Sequence, residues 1–514
     1  MNSVTQWPIL PILLPLLTGS ILLLFQAAPI TLRRRISVTS ALALLILNAW
    51  LFASLGEQQL AYSLGNWPAP FGIVLVYDSL SGLMLLLTSL LALPALWYAV
   101  ANDTDQLGRH FHILFQLQLF GLNGAFLTGD AFNLFVFFEV LLLASYSLML
   151  HGGGKQRTVA GLHYVVVNLV GSTVFLFALG ALYGALGTLN MADMAARVAA
   201  LPAEREGLVK AAGLLLLVVF GLKAAMFPLY LWLPGAYART SAPVAALFAI
   251  MTKVGIYAII RVHGSVFGAD AGSLAHFYAP YLLGLGMITL VLAAIGVLAG
   301  IRIQFQIAYL VLASVATLLI GVGLGTEEGL TATLYYLIHS TLLAGGLFLL
   351  VDMIVKVRGA YAGRIEPGLK MPRHVLLGGI FMVAMIAAVG LPPLSGFFGK
   401  LWLLQASIEH PWHVAIFTTV ILGSFIMLFA MARSGSILFY KAKPNPDEAD
   451  PVFPDDNPAF NKSLPSLAWL LSATLLLVLF ANPVSQRLEG VVAQLSDLKS
   501  YRSAVLNTPA TQGD

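Results

Sequence analysis

Four charged residues interrupt the longest apolar stretches of the sequence. Glu139 stands in NLFVFFEVLLLASY, Lys223 in LLLLVVFGLKAAMFPLYLW, Lys253 in ALFAIMTKVGIYAII and Lys400 in LPPLSGFFGKLWLL. A lysine at the centre of a bilayer costs roughly 2.5–3.5 kcal/mol, so such residues need a polar bundle interior or water around them. Burial disfavours the charged form of both residue types and thereby favours reversible protonation. The pattern predicts a relay that carries protons.

The alternative for these residues is structural. One Glu–Lys pair can lock two helices together, and such a pair would need no transport function. That explanation leaves two of the three lysines without a carboxylate partner, because the sequence offers one clear glutamate at comparable depth. An excess of buried amines requires water or neutral lysines, which favours the relay.

A histidine and two further candidates extend the predicted relay. His339 lies in TLYYLIHSTLLAGG, with Tyr335 one helical turn before it. Imidazole passes protons at neutral pH, so His339 is a candidate relay group. His163, near a predicted helix start, is a candidate proton-uptake group, and a structural role fits its position equally well.

Other acidic residues are better explained by structure. Asp78, in YDSLSG, opens a predicted helix, where an acid ordinarily acts as a cap, so it is a weak relay candidate. Asp352 lies four residues before Lys356 on the same predicted helix. We expect that pair to form a structural ion pair.

Two predicted helices are interrupted by proline beside a buried lysine. Pro228 follows Lys223 by five residues, and Pro392 and Pro393 precede Lys400. Proline removes a backbone donor and frees the carbonyl four residues earlier. The carbonyls freed in this way are those of Ala224, Ala388 and Val389. Unwound backbone at membrane depth persists only where protein or water solvates it, so both breaks are predicted to line the path.

The composition indicates that the predicted helices lie in a membrane. The chain of 514 residues is 59% apolar and only 10% charged, with a mean hydropathy of +0.88. A soluble protein carries about 25% charged residues. The chain has no cysteine, which excludes disulfides and Cys-ligated metal or iron–sulfur sites. We expect no cofactor, no metal and no nucleic-acid partner, because the net charge of +4 is spread over short loops.

Apolar runs of about twenty residues predict an all-α integral membrane protein of about fourteen transmembrane helices. The predicted spans are 6–27, 36–55, 74–100, 112–128, 131–152, 160–186, 207–236, 241–264, 273–299, 303–324, 327–356, 374–408, 412–441 and 464–482. A Pro- and Asp-rich loop is expected from Pro444 to Lys462, and an amphipathic helix over 486–499. The predicted units are 1–101, 112–264, 273–441, 442–463 and 464–514.

The order of the spans predicts an internal repeat. Helices 4–8 and 9–13 form two sets of five, and each set has its break in the fourth helix. Five is odd, so the second set enters the membrane from the opposite side, as in inverted-repeat transporters. Of the 27 basic residues, 17 lie on the side of the first loop and 7 on the other. That side is therefore predicted to be cytoplasmic, which places both termini on the outer side of the membrane.

Three segments carry a resemblance to a known family. GDAFNLFVFFEVLLLASYSLML, GLKAAMFPLYLWLPGAYARTSAPVAALFAIMTKVG and AAVGLPPLSGFFGK resemble the antiporter-like subunits shared by respiratory complex I and Mrp-type sodium/proton antiporters. The resemblance covers helices three to thirteen. It implies relay groups in helices five, seven, eight, eleven and twelve, and the residues at those places are Glu139, Lys223, Lys253, His339 and Lys400.

Within that family the chain is most similar to D-type Mrp subunits, on LTGDAFNLFVFFEVLLLASY and the lysine at 400. The resemblance implies a hetero-oligomer with other Mrp subunits that exchanges Na⁺, sometimes K⁺ or Li⁺, for protons and so supports pH homeostasis. It also implies a bacterial inner membrane, so that the predicted outer side of both termini is periplasmic. The alternative is a proton-pumping subunit of a complex I-like or membrane-bound hydrogenase complex. A third possibility is a membrane scaffold that transports nothing. The sequence shows no nucleotide loop, nucleophile triad or metal-ligand cluster, so an enzyme is not expected.

Overall fold

The computed structural model describes residues 3–443 and 458–506, and the described part is built almost entirely of helices. Eleven of its helices are long and apolar enough to cross a membrane, and Phe111–Leu127 and His374–Val389 are shorter apolar helices. The protein is therefore a multi-pass membrane protein. Each of the fourteen predicted spans overlaps a helix, while the count of fourteen crossings and the inverted repeat stay predictions.

The helices run in chain order as follows: α1 (Leu10–Leu24), α2 (Ile30–Leu55), α3 (Ser79–Ala101), α4 (Phe111–Leu127), α5 (Ala131–Leu150), α6 (Lys155–Leu186), α7 (Met191–Ala199), α8 (Ala203–Lys223), α9 (Trp232–Arg239), α10 (Ala242–Phe248), α11 (Met251–Ala258), α12 (Gly264–Val266), α13 (Ala279–Ala299), α14 (Ile303–Gly323), α15 (Glu327–Val357), α16 (His374–Val389), α17 (Ser395–Ala406), α18 (His413–Gly435), α19 (Pro458–Leu479), α20 (Ala481–Ser496) and α21 (Leu498–Leu506). A π-helical turn, Ile259–His263, joins α11 to α12. The most deeply buried spans are Ala242–Val266, α14 and α15, which form the centre of the bundle.

Several predicted boundaries were wrong. The third span was predicted to begin at residue 74, but Val74–Tyr77 forms strand β2, paired antiparallel with strand β1 (Leu60–Ser63). An apolar run of four residues does not distinguish a buried strand from a helix start. The polar tail holds two short helices, α20 and α21, instead of one. Residues 458–462 of the predicted polar loop begin α19, and residues 444–457 lie outside the described part of the chain.

One end of the bundle is closed by the β-hairpin, α7 and α21. Ala61, Val76 and Ala192 pack there against Tyr501 in a small apolar cluster. Asp78 caps α3 by accepting from the Ser81 amide at 2.9 Å. Its carboxylate also receives two hydrogen bonds from Arg261, at 2.5 and 2.7 Å. The expected capping role of Asp78 is present, and the buried ion pair ties α3 to the π-helical turn.

The opposite end is held by a polar network between the α3–α4 loop and α2. Arg34 donates to Asp105 at 2.7 Å and to Asp103 at 2.6 Å, and His112 lies 3.0 Å from Asp105. Burial raises the pKa of Asp105, but the hydrogen bonds from His112 and Arg34 outweigh it and hold that pKa below its usual value. The carboxylate is therefore ionised at neutral pH and anchors this end of the bundle.

The predicted ion pair on α15 forms at the same end. Lys356 lies 2.6 Å from Asp352, one helical turn away. Tyr98 donates a further hydrogen bond to Asp352 at 2.7 Å, which ties α15 to α3. The predicted ion pair between Asp352 and Lys356 is therefore present.

Candidate proton-translocation site

The first broken helix ends at the lysine itself. Lys223 is the last residue of α8, and Ala225 then takes a left-handed conformation with a φ of +59°. The chain resumes as α9 at Trp232, whose indole donates to the Leu222 carbonyl at 3.0 Å. The break therefore leaves the lysine at the carboxyl end of a half-helix, where a cation is favoured by the exposed carbonyls.

Helix α6 stands between Glu139 and Lys223. The lysine is 7% exposed and its Nζ donates to Asn168 Oδ1 at 3.2 Å. One turn further along α6, Ser172 Oγ makes a short hydrogen bond to Glu139 Oε1. Glu139 and Lys223 do not form an ion pair with each other among those of the described residues. Asn168 and Ser172 connect the carboxylate to the amine.

Lys253 is fully buried at the centre of the bundle. It lies in α11, just after the tight turn at Ala249 that separates α10 from α11. Its Nζ donates to Ser314 Oγ of α14 at 3.2 Å. Gly255 brings α11 against the end of α8, since a Cβ there would lie 2.6 Å from the Ala224 nitrogen. The first broken helix and α11, the helix that carries Lys253, are therefore in direct packing contact.

His339 faces the second broken helix. Its Nδ1 lies 2.8 Å from Ser395 Oγ, the first residue of α17, and the side chain is 1% exposed. A Cβ on Gly396 would lie 2.7 Å from His339 Nε2 and closer still to the Ala387 carbonyl oxygen. The imidazole and this carbonyl therefore pack directly against the glycine backbone. A cavity of about 20 Å³ lies between Ser314 and His339.

Lys400 uses the carbonyl that proline leaves without a donor. Helix α16 ends at Val389, and Gly390 follows with a φ of +84°. The Val389 carbonyl would accept from residue 393 in a continuous helix, but Pro393 has no amide hydrogen. Lys400 Nζ donates to that carbonyl at 2.7 Å and to Ser424 Oγ of α18 at 2.8 Å.

Together these residues form what we call the polar row. Its members are Glu139, Ser172, Asn168, Lys223, Lys253, Ser314, His339, Ser395, Lys400 and Ser424. The four basic relay residues are buried, Glu139 is half-buried, and each of the five has a serine or asparagine partner. The described residues contain no group of three or more His, Asp or Glu side chains that could hold a metal ion.

Three weaker candidates lie outside the polar row. Tyr335 donates to the Leu477 carbonyl at 2.9 Å and packs on Trp402, so it faces α19. The ring beside His339 belongs to Tyr336, with a centroid separation of 5.6 Å. His163 lies on the exposed face of α6, next to the buried Tyr164. Asp78 is held by Arg261 at the end of the bundle.

The neutral members of the polar row were missed from the sequence. A usable signal existed in α6, where Asn168 and Ser172 stand one helical turn apart in an apolar helix and so share a face. Ser314, Ser395 and Ser424 gave no comparable signal, because single serines in membrane helices commonly bond to their own backbone.

Comparisons with known proteins identify the family of this chain. The sequence profile of the family described as NADH:quinone oxidoreductase/Mrp antiporter, TM, matches residues 128–432. The chain belongs to this family. It is 41% identical, over 98% of its own length and 97% of the relative, to the D-type subunit of a probable K(+)/H(+) antiporter from Rhizobium meliloti (strain 1021). It is 35% identical to the D-type subunit of the Na(+)/H(+) antiporter from Bacillus subtilis (strain 168), over 97% of the chain and 99% of the relative.

Solved structures of the family share the fold. A chain of the Mrp complex from Dietzia sp. DQ12-45-1b superposes with a TM-score of 0.87 at 27% identity, covering 98% of this chain and 100% of that one. A chain of respiratory complex I from Thermus thermophilus superposes with a TM-score of 0.77 at 26% identity, covering 96% and 99%. The expected resemblance to both groups, and to D-type Mrp subunits in particular, is confirmed.

Proposed function

We propose that this chain is the proton-translocating, D-type subunit of a multi-subunit monovalent cation/proton antiporter, and that protons move along the polar row. The row carries one carboxylate, three amines and one imidazole, so most of its ionisable side chains are basic. Each base has a neutral side-chain partner in the described structure. The presence of such a partner for every base, at both broken helices, is the observation that carries the proposal.

The partners suit groups that change their protonation state. Ser172 Oγ is within bonding distance of both Glu139 and the Asn168 carbonyl at 3.1 Å, but a hydroxyl has one hydrogen to donate. When Glu139 is ionised, the hydroxyl donates to it. When Glu139 is protonated, the carboxyl donates to the hydroxyl, which then donates to the Asn168 carbonyl. Both states are hydrogen-bonded without movement of a helix, which keeps the exchange of one proton inexpensive.

Small cavities lie beside members of the polar row. The cavity between Ser314 and His339 is large enough for one water molecule, which needs roughly 10–15 Å³. A second cavity of about 10 Å³ lies between Lys223 and Met251, beside Asn168. We propose that water there completes the path from Lys223 through Lys253 to His339.

The partners and the coupling ion follow from the relatives. The named relatives are D-type subunits of K⁺/H⁺ and Na⁺/H⁺ antiporters, and the Dietzia chain comes from an Mrp complex. We therefore propose assembly with other Mrp subunits in a bacterial cell membrane. The proposed substrates are protons and a monovalent cation, with Na⁺ as predicted from the sequence and K⁺ as the competing choice.

The decisive variant is Glu139→Gln in everted membrane vesicles that contain the complete complex. The amide keeps the shape of the side chain but cannot lose a proton, so cation-driven movement of protons should be abolished while the complex still copurifies. Exposed Glu409, changed to Gln, is the matched control and should transport normally. Adding NaCl and KCl separately identifies the cation. Wild-type exchange in Glu139→Gln, or proton movement that requires an electron donor instead of a cation, would overturn the proposal.

A further inference from the structure

A large cavity among the described residues differs in character from the polar row. It has a volume of about 740 Å³ and lies where four helix ends meet, at the start of α6 and α14 and the end of α9 and α13. Three basic residues line it, Lys155, Arg239 and Arg302. We call this space the basic cleft.

The three cations have no acidic partner within the described ranges. None of them takes part in the ion pairs found there. The guanidinium of Arg239 instead faces an aromatic ring, lying 5.6 Å from the centroid of Phe305. Three like charges around one space repel one another, so a ligand that carries negative charge is favoured there.

The walls of the basic cleft indicate what kind of anion enters. Phe305 and Tyr309 line it together with Val159 and Ile301, which are 58% and 81% exposed. The exposed face of Val159 continues along α6 as the apolar residues Leu162, Val166 and Leu169. These stand at helical spacing, so the cleft opens toward the acyl-chain region and not only toward water.

We propose that the basic cleft binds the headgroup of an anionic phospholipid. The phosphate would lie among Lys155, Arg239 and Arg302, because guanidinium groups match phosphate oxygens in charge and geometry. The acyl chains would follow Val159 and the apolar face of α6. Basic pockets between the ends of membrane helices are suited to acidic lipid headgroups for the same reasons.

The test uses native membrane vesicles that contain the full chain and a phosphatidylglycerol with a photoreactive group near the glycerol end of one acyl chain. Adducts should form on peptides that contain Val159, Ile301 or Phe305. Unlabelled phosphatidylglycerol should compete, and phosphatidylcholine and inorganic phosphate should not. The double variant Lys155→Gln/Arg302→Gln should bind more weakly, by about fivefold for each cation removed.

The matched control is Arg35→Gln/Lys441→Gln, which removes two exposed basic residues elsewhere on the predicted cytoplasmic side. It should label as the wild type does. Charge-retaining Lys155→Arg/Arg302→Lys should also keep labelling, which separates loss of charge from misfolding. Equal labelling by a phosphatidylcholine probe, competition by inorganic phosphate, or unchanged labelling in the double Gln variant would each overturn the proposal. The result is independent of whether Glu139 carries protons.

Discussion

The two broken helices each carry a buried lysine, but they place it on opposite sides of the break. Lys223 ends the first half-helix α8, whereas Lys400 lies inside the second half-helix α17. Lys223 donates to a side-chain amide on α6, Asn168. Lys400 donates to a backbone carbonyl across its own break, that of Val389.

The difference teaches how each amine is stabilised. The Lys223 end of the polar row contains Glu139, joined to the amine through Ser172 and Asn168, so a negative charge is available to balance a proton. The two hydrogen-bond acceptors of Lys400 are a carbonyl and a hydroxyl, which offer dipoles but no charge. We infer that Lys223 exchanges a proton with a carboxylate, whereas Lys400 receives and releases a proton at the far end of the row.

The largest effects are expected from removing the amines. Lys223→Ala and Lys400→Ala should each lower cation-driven proton movement by about 100-fold or more, the usual contribution of a proton-transfer group. Exposed Lys370→Ala is the control. Lys400→Glu should retain part of the activity if a titratable group suffices, although a glutamate can donate to the Val389 carbonyl only when protonated. Normal exchange in everted vesicles with alanine at 400 would show that the path does not reach the second break.

Double-mutant cycles can measure whether Glu139 is coupled more strongly to Lys223 than to Lys400. For transport, losing both Glu139 and Lys223 should cost little more than losing one, because both act in the same step. For thermal stability of the purified complex, Glu139→Gln with Lys223→Met should show a coupling of about 0.5–3 kcal/mol, as expected of residues in one network. Glu139 and Lys400 share no hydrogen-bond partner. The destabilisation by Glu139→Gln and that by Lys400→Met should therefore add to within about 0.5 kcal/mol. Equal coupling in both cycles would contradict the separation of the two ends.

The neutral partners should matter unequally. Asn168→Leu removes the hydrogen-bond partner of Lys223 and leaves a buried amine unsatisfied, which costs about 1–3 kcal/mol or more for a charged group. After Ser424→Ala, Lys400 still donates a hydrogen bond to the Val389 carbonyl. The loss of stability should therefore be close to the contribution of one neutral hydrogen bond, about 1 kcal/mol. Transport rates should fall by at least about tenfold for Asn168→Leu and by about fivefold or less for Ser424→Ala. The reverse order would place the stronger dependence at the second break.

The sequence predicted the charged members of the polar row and the positions of both breaks. The position of Pro393 also predicted that the Val389 carbonyl lacks a backbone hydrogen-bond donor, and in the structure Lys400 donates to that carbonyl. The neutral partners could not be predicted, because which face of α6 or α18 turns inward depends on tertiary packing and not on local pattern. The placement of Tyr335 depends on packing in the same way. It and Tyr336 are adjacent in sequence, so they point in different directions from the helix: Tyr336 lies beside His339, and Tyr335 contacts Leu477 and Trp402.

The smallest effects are expected from replacing one glycine in each second half-helix, Gly235 and Gly396. Gly235 of α9 has open space where a Cβ would be, whereas a Cβ on Gly396 of α17 would meet His339 Nε2 at 2.7 Å. Replacing glycine by alanine inside a helix favours the helix by about 1 kcal/mol, so Gly235→Ala should be neutral or slightly stabilising. At Gly396 the same gain is opposed by overpacking of about 1–3 kcal/mol, because the nearby Ala387 carbonyl is backbone and cannot rotate away. His339 must then shift from Ser395, and transport should fall several-fold while the complex still assembles. Thermal unfolding and exchange assays on the two alanine variants measure both effects. If Gly396→Ala transports as well as Gly235→Ala, the position of the imidazole against α17 is not part of the proton path.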